Sequence, residues 1–405
     1  MSLLDTASLV ITPNGTKAST LYSVVPSSGA GDMTVTRATT ATRVNSAGLI
    51  ESVASNVPRL DYTNGTCPSI LVEPQRTNLL TYSEQIDNSA WTKENATISA
   101  NAITAPNGTL TADLITSSSS SFSDILQGTS QSAGNSYTLS CYAKKGSSDW
   151  VFLRLTFAAA APRVWFNVNT GTIGTIGSGL TASIESVGNG WFRCSVSGTA
   201  SATPPADRID IALANANTST SPNVGNSVYI WGAQLEAGSY ATSYIPTTSA
   251  SVTRNADVIS KTGISSLIGQ TEGTLFVDFN YTQNSGSSIV SIFNTAVSNS
   301  IFFETFNNIL YLTIITSGAL VCQIPFTTLT NQNYKIAVGY KLNNIVFYVN
   351  GSQVGVDTSA TIPATNEINL GFLGASFTQQ KTNINTTALW KTRLTNTQLA
   401  QLTTI

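Results

Sequence analysis

Period-two alternation of apolar and polar residues, broken at short intervals by turn signals, restricts this chain more than any other feature. It is plain in Tyr137-Thr138-Leu139-Ser140-Cys141-Tyr142, Trp150-Val151-Phe152-Leu153-Arg154-Leu155, Val164-Trp165-Phe166-Asn167-Val168 and Trp191-Phe192-Arg193-Cys194-Ser195-Val196. Successive side chains of a strand point to opposite faces, so such a run buries one face and wets the other. Asn-Gly pairs accept positive φ and favour tight hairpins; they fall at Asn14-Gly15, Asn64-Gly65, Asn107-Gly108, Asn189-Gly190 and Asn350-Gly351. Long amphipathic runs at helical spacing are missing. Many short strands punctuated in this way predict an all-β protein made of antiparallel sandwiches.

The pattern divides the chain. Residues 1–80 carry short apolar pieces, scattered turns and isolated arginines. They are too irregular for a core of their own and predict an extended arm that needs a partner surface. Residues 81–247 hold five of the six tryptophans and the clearest strands, and residues 268–405 form a second strand-rich block. A Pro/Thr/Ser-rich stretch at residues 244–250 leads into a linker assigned to residues 248–267. Val35-Thr36-Arg37 in the arm is echoed by Val252-Thr253-Arg254 in the linker.

Composition narrows the chemistry. The chain has no His, which excludes Ser-His-Asp and Cys-His nucleophiles and His-ligated zinc. Charged residues are 10% of the total, against about 25% in an ordinary soluble domain. A net charge of −2 offers no footprint for nucleic acid and no polybasic attraction to membranes. No apolar run approaches the ~18 residues of a membrane helix, and the first residues carry no basic-then-apolar leader pattern. Cys67, Cys141, Cys194 and Cys322 form no C-x-x-C pair. The last three lie in strand-like runs and read as small buried hydrophobes, with a Cys141–Cys194 bridge left open.

Three stretches carry a resemblance. Residues 33–45 (Met-Thr-Val-Thr-Arg-Ala-Thr-Thr-Ala-Thr-Arg-Val-Asn), Gly48-Leu49-Ile50, Val57-Pro58-Arg59-Leu60-Asp61-Tyr62 and Leu71-Val72-Glu73-Pro74-Gln75-Arg76-Thr77-Asn78-Leu79-Leu80 resemble the N-terminal part of a family of tailed-bacteriophage virion proteins. Trp231-Gly232-Ala233-Gln234-Leu235-Glu236-Ala237-Gly238, with Ala241-Thr242-Ser243-Tyr244-Ile245-Pro246-Thr247, resembles the closing strand and exit linker of the jelly-roll module of the same proteins. That module is similar to carbohydrate-binding modules. Gly273-Thr274-Leu275-Phe276-Val277-Asp278-Phe279, Tyr348-Val349-Asn350-Gly351 and the closing Leu389-Trp390-Lys391-Thr392-Arg393-Leu394 resemble concanavalin A-like and laminin-G-like domains. In the last of these, Leu394 and Leu399 are expected to dock a short helical turn on the sheet.

The resemblance implies a virion-surface structural protein: a head fibre, capsid decoration or tail appendage, made in the host cytoplasm. It implies an arm followed by two antiparallel β-sandwich (jelly-roll) domains, and a homo-oligomer, a trimer by family habit. Its partners would be other capsid or tail proteins and cell-surface glycans. Trp150, Phe152 and Arg154 share one sheet face, and Trp150, Arg154 and Trp165 are the candidate glycan contacts; the alternative puts both tryptophans in the core and Arg154 at an edge. Arg37, Arg43, Arg59 and Arg76 are the candidate virion anchors, since Arg suits interfaces; the alternative is solvated arginines on a loose segment. Asp113 is the candidate ligand for a structural calcium, and no other cofactor is expected. The protein is read as a non-enzyme. A glycan depolymerase would need paired carboxylates, yet Glu272, Asp278, Glu304, Asp357 and Glu367 are scattered through the last block. A depolymerase and a ligand-free structural fibre remain the alternatives.

Overall fold

The computed structural model describes residues 2–63, 65–281, 287–294, 297–327, 332–373, 379 and 381–405. It is all-β apart from two short 3-10 turns and one C-terminal helix, Asn396–Thr403. Two compact units divide it: Met1–Ser46, Val53–Gln75 and Asn255–Ile405 make one, and Ala47–Ser52 with Arg76–Arg254 make the other.

The first unit is a sandwich of two antiparallel sheets. An eight-stranded sheet runs in the order Ser352–Asp357, Ile345–Val349, Gln332–Lys341, Glu272–Tyr281, Thr382–Trp390, Ser69–Val72, Arg59–Asp61, with Leu9–Ile11 also paired to Thr382–Trp390. A seven-stranded sheet runs Ala319–Thr327, Ile309–Thr316, Ser300–Phe306, Ser287–Phe293, Glu367–Leu370, Val258–Thr262, Thr34–Thr36. Leu275, Val277 and Phe279 alternate into the shared core, where Phe303 stacks on Phe347 at 5.5 Å between centroids. On the outer side of the first sheet, Leu394 and Leu399 pack with Phe276, Val346, Tyr348 and Trp390. The helix carrying Leu399 starts at a Thr395–Gln398 capping box, as the docked closing turn requires.

This arrangement replaces the separate N-terminal arm. The short apolar pieces of residues 1–75 supply strands to both sheets, so their partner surface lies in the same chain. The linker expected at residues 248–267 is also structured. Val252–Arg254 pairs with Arg76–Asn78, and Val258–Thr262 lies between Glu367–Leu370 and Thr34–Thr36. Tyr244 and Ile245 are buried, and Tyr244 packs against Trp231 at 4.6 Å between ring centroids. Pairings between residues so distant in sequence leave no trace in local periodicity.

The second unit is a sandwich of two six-stranded antiparallel sheets. One runs Thr92–Glu94, Asp124–Gly128, Arg208–Ala214, Trp150–Leu155, Arg163–Asn167, Thr172–Ile176; the other runs Ala96–Thr104, Leu110–Ser117, Ser227–Ala237, Ser136–Lys145, Trp191–Thr199, Thr181–Ser186. Leu139, Cys141, Val151, Leu153, Cys194, Ile209, Ile211 and Leu235 meet in its core. Cys141 and Cys194 stand directly opposite each other as free thiols, and burial pushes the Cys141 thiol up to about 12. Asn189-Gly190 and Asn350-Gly351 each join paired strands with positive φ at both residues, as a type I′ turn demands. Asn64 of the Asn64-Gly65 pair lies outside the described residues.

Candidate functional site

The outer face of one sheet of the second unit gathers the chemistry. Val151, Leu153 and Leu155 point into the core, which turns Trp150, Phe152 and Arg154 outward. The same alternation turns out Arg163 and Trp165, then Arg208, Asp210 and Ala212, then Asp124 and Leu126. Register completes the surface: Arg154 lies between Asp210 and Arg163, and Phe152 between Ala212 and Trp165. Asp124 lies between Ala212 and Glu94.

Aromatic rings line this face. Phe152 meets Trp165 and Phe122, both at 5.6 Å between centroids. The Arg154 guanidinium lies 4.6 Å from the Phe122 centroid, and that of Arg163 lies 5.5 Å from Phe152. Such cation–π contacts strengthen as water is excluded. Trp165 is buried, and its indole N–H donates to the Ser219 carbonyl at 2.7 Å, fastening that loop. Trp150 is half-buried; a Cβ at Gly174 would stand 2.9 Å from its ring and 2.4 Å from Asn217 Oδ1.

The charges are unevenly satisfied. Arg154 Nε donates to Asp210 Oδ2, and the Arg154 side chain keeps 15% exposure. Arg208 Nε approaches Asp210 Oδ1 at 3.0 Å without hydrogen-bond alignment, and its Nη1 lies 3.7 Å from Glu94. Asp124 is fully buried, and neither of its carboxylate oxygens has a hydrogen-bond partner among the described residues. Burial, then the charges of Asp210 and Glu94, push its carboxyl up to about 7 against the pull of Arg154 and Arg208. Burial also raises Asp210, opposed by the Arg154 hydrogen bond. Buried polar atoms in folded proteins are nearly always paired, so Asp124 is the anomaly of this face.

Of the sequence-derived glycan candidates, Trp150, Arg154 and Trp165 do share one face, but Trp165 is a packing residue whose N–H is already engaged. Phe122, Asp124, Arg163, Arg208 and Asp210 complete the face and were not singled out by sequence. Arg208, Ile209, Asp210 and Ile211 alternate charged and apolar residues, which is the one signal that could have marked this pair.

The four arm arginines are placed differently. Arg37 and Arg59 are 1% and 0% exposed, which removes them as contacts to another subunit. Arg37 Nη1 donates to Asp257 at 2.7 Å and Nη2 to the Ala54 carbonyl at 2.6 Å. Arg59 pairs with Asp257 and donates to Glu73 at 2.8 Å. The two arginines and two carboxylates thus close a buried charge cluster inside the first unit. Arg43 is half-buried in the strand Ala41–Val44 of the same unit. Arg76 belongs to the second unit, 3.8 Å from Glu236 and 5.5 Å from the Tyr240 ring centroid. Asp113 accepts from the Ile86 and Asn101 N–H groups at 2.8 and 2.9 Å, one on each oxygen, so it staples two backbone segments. Among the described residues, no group of three or more Cys, Asp or Glu is placed to hold a metal ion.

No family model matches the sequence, and no curated protein matches it. Among solved structures the chain is similar to the CBM40 of Ruminococcus gnavus IT-sialidase bound to α2,3-sialyllactose: 15% identity, 34% of this chain, 84% of that chain, TM-score 0.30. It is also similar to a structure of botulinum neurotoxin type C, a toxin whose cell entry depends on interaction with two ganglioside molecules: 12% identity, 36% of this chain, TM-score 0.31. The botulinum neurotoxin type G receptor-binding domain matches at 16% identity over 36% of this chain, with a TM-score of 0.29. The matches span 39% and 38% of the two neurotoxin chains.

Proposed function

We propose that this is a virion-surface structural protein of a tailed bacteriophage, without catalytic activity, that contacts glycans through the outer face of its second unit. The observation that carries the glycan reading is the convergence of the partly exposed Phe122, Trp150 and Arg154 on one sheet surface, backed by the buried Phe152 and Asp210. Aromatic faces suit the apolar side of a sugar ring, and ion-paired donors and acceptors suit its hydroxyls. The virion reading rests on the resemblance of residues 33–80 and 231–247. Display in many copies would turn weak single contacts into useful avidity.

The test is a glycan array probed with the full chain and with Trp150→Ala and Arg154→Ala, beside electron microscopy of particles labelled for this protein. The reading expects hits weakened by both substitutions, label on the particle exterior and no release of reducing ends. Unlabelled particles contradict the virion role. An array without hits contradicts the glycan role, and steady turnover contradicts the non-catalytic one.

A further inference from the structure

We infer that Arg163 holds the carboxylate of an acidic sugar, so that the outer face of the second unit takes acidic oligosaccharides in preference to neutral ones; this rests on the glycan reading above. Arg163 opens the strand Arg163–Asn167, is half-buried, and makes no side-chain hydrogen bond or ion pair among the described residues. Its guanidinium rests against rings, 5.5 Å from the Phe152 centroid and 6.0 Å from that of Trp165. A ring contact uses the charge of a guanidinium and leaves the N–H donors in its plane for another partner. That planar fork matches a carboxylate through two parallel hydrogen bonds.

Charge on the face favours an anion. Register sets Asp210, Arg154 and Arg163 in one row across three strands. Asp210 is taken by Arg154 and is also approached by Arg208. Arg163 therefore stands opposite a second guanidinium with no carboxylate of its own, and like charges directly opposite on paired strands repel. Burial, then the Arg154 charge, hold the Arg163 guanidinium below its ordinary value, against the pull of Asp210. Asp124 and Asp210 are 0% exposed, whereas the side chains of Arg154 and Arg208 keep 15% and 30%. A ligand laid on this face thus meets guanidinium before carboxylate. A sugar carboxylate beside Arg163 relieves the repulsion between the two arginines, which a hydroxyl group does not.

Spacing sets the length of the ligand. Phe152 and Trp165 make the next row, and Trp150 stands in the row after, four residues along the strand from Arg154. At a rise of about 3.3 Å per residue, the rows of Arg163 and Trp150 lie about 13 Å apart, more than one sugar ring spans. A ligand that sets its carboxylate on Arg163 and a ring on the half-buried Trp150 is therefore an oligosaccharide. Both residues are partly exposed, so neither contact requires a buried group to open.

The experiment measures binding of the full chain to immobilised neutral, sialylated, uronate-containing and sulfated oligosaccharides, for the parent, Arg163→Gln and Arg163→Lys, with melting temperature recorded for each. The expected result is binding of carboxylated glycans about tenfold or more tighter than of neutral ones. That preference should collapse to within about twofold in Arg163→Gln, and survive in part in Arg163→Lys, which keeps the charge without the fork. It should also weaken as sodium chloride is raised. The melting temperature of Arg163→Gln should equal or exceed the parent's, because one of two opposed like charges is gone. An unchanged preference in Arg163→Gln, or neutral or sulfated glycans bound more tightly than carboxylated ones, overturns the subsite and leaves the glycan reading standing. A lowered melting temperature in Arg163→Gln also overturns it, because Arg163 would then serve the fold. Failure of every glycan class to bind the parent overturns both.

Discussion

Two buried acid groups, Asp124 and Asp257, have opposite surroundings. Asp257 takes Arg37 and Arg59 together, with Glu73 as the second partner of Arg59. Removing one member of such a cluster leaves an uncompensated buried charge, at a cost of about 3–5 kcal/mol. Arg59→Ala should lose stability of that order in urea unfolding, and a loss below about 1 kcal/mol would mean that the cluster is wet. Asp124 has no such partner and its carboxyl stands at about 7, against about 4 in an unfolded chain. Between those values the native state holds a proton that the unfolded state has released, so this contribution to stability falls as pH rises from about 4 to about 7 and is flat above. Asp124→Asn should therefore stabilise the protein more at pH 8 than at pH 5, which thermal melts at the two values check. Equal effects at both would show Asp124 ionised throughout. The sequence marked Arg154 because it shares a strand face with Trp150. It could not mark Asp124, whose lack of partners arises only once four strands are brought into register.

Strands and turns were the legible scale. Alternation is a local property, so residues 137–142, 150–155, 164–168 and 191–196 could be read without knowing their neighbours. Hairpins were legible for the same reason. At Asn350-Gly351 both residues take positive φ, 48° and 82°, and join Ile345–Val349 to Ser352–Asp357. Gly351→Ala should cost about 1 kcal/mol, because a Cβ is disfavoured in the left-handed region. Denaturant unfolding of that variant checks it, and an unchanged midpoint would mean that the turn type is wrong. The exposed edge strand Ala319–Thr327 carries Pro325, which interrupts the donor row that another chain would need for pairing.

At the scale of the whole molecule the order of segments in the chain is not the order of folding units. The first unit is assembled from both ends of the sequence: Leu9 stands opposite Leu389, and Leu71 opposite Asn383. Most of the second unit, Arg76–Arg254, is inserted between Gln75 and Asn255, and its outgoing and returning strands, Arg76–Asn78 and Val252–Arg254, pair with each other. The sequence reading assigned sandwiches to residues 81–247 and 268–405 and an arm to residues 1–80, whereas the units are 1–46, 53–75 and 255–405 for one and 47–52 and 76–254 for the other. Within residues 1–80, Leu9–Ile11 and Ser69–Val72 pair with Thr382–Trp390, and Thr34–Thr36 with Val258–Thr262, strands from the far end of the sequence. A fragment of residues 76–254 should unfold cooperatively on its own. A fragment of residues 255–405 should be insoluble alone and recovered by co-expression with residues 1–75, as solubility and circular dichroism would report. A soluble, cooperatively folded 255–405 fragment would contradict the two-ended assembly.

The functional claim stands or falls on where a sugar meets the chain. Hydrogen exchange of the full protein, with and without saturating oligosaccharide, measures that directly. The account predicts added protection in the segments around residues 122–128, 150–155 and 208–214. Protection confined to residues 255–405, or no change on adding a glycan that demonstrably binds, would contradict it.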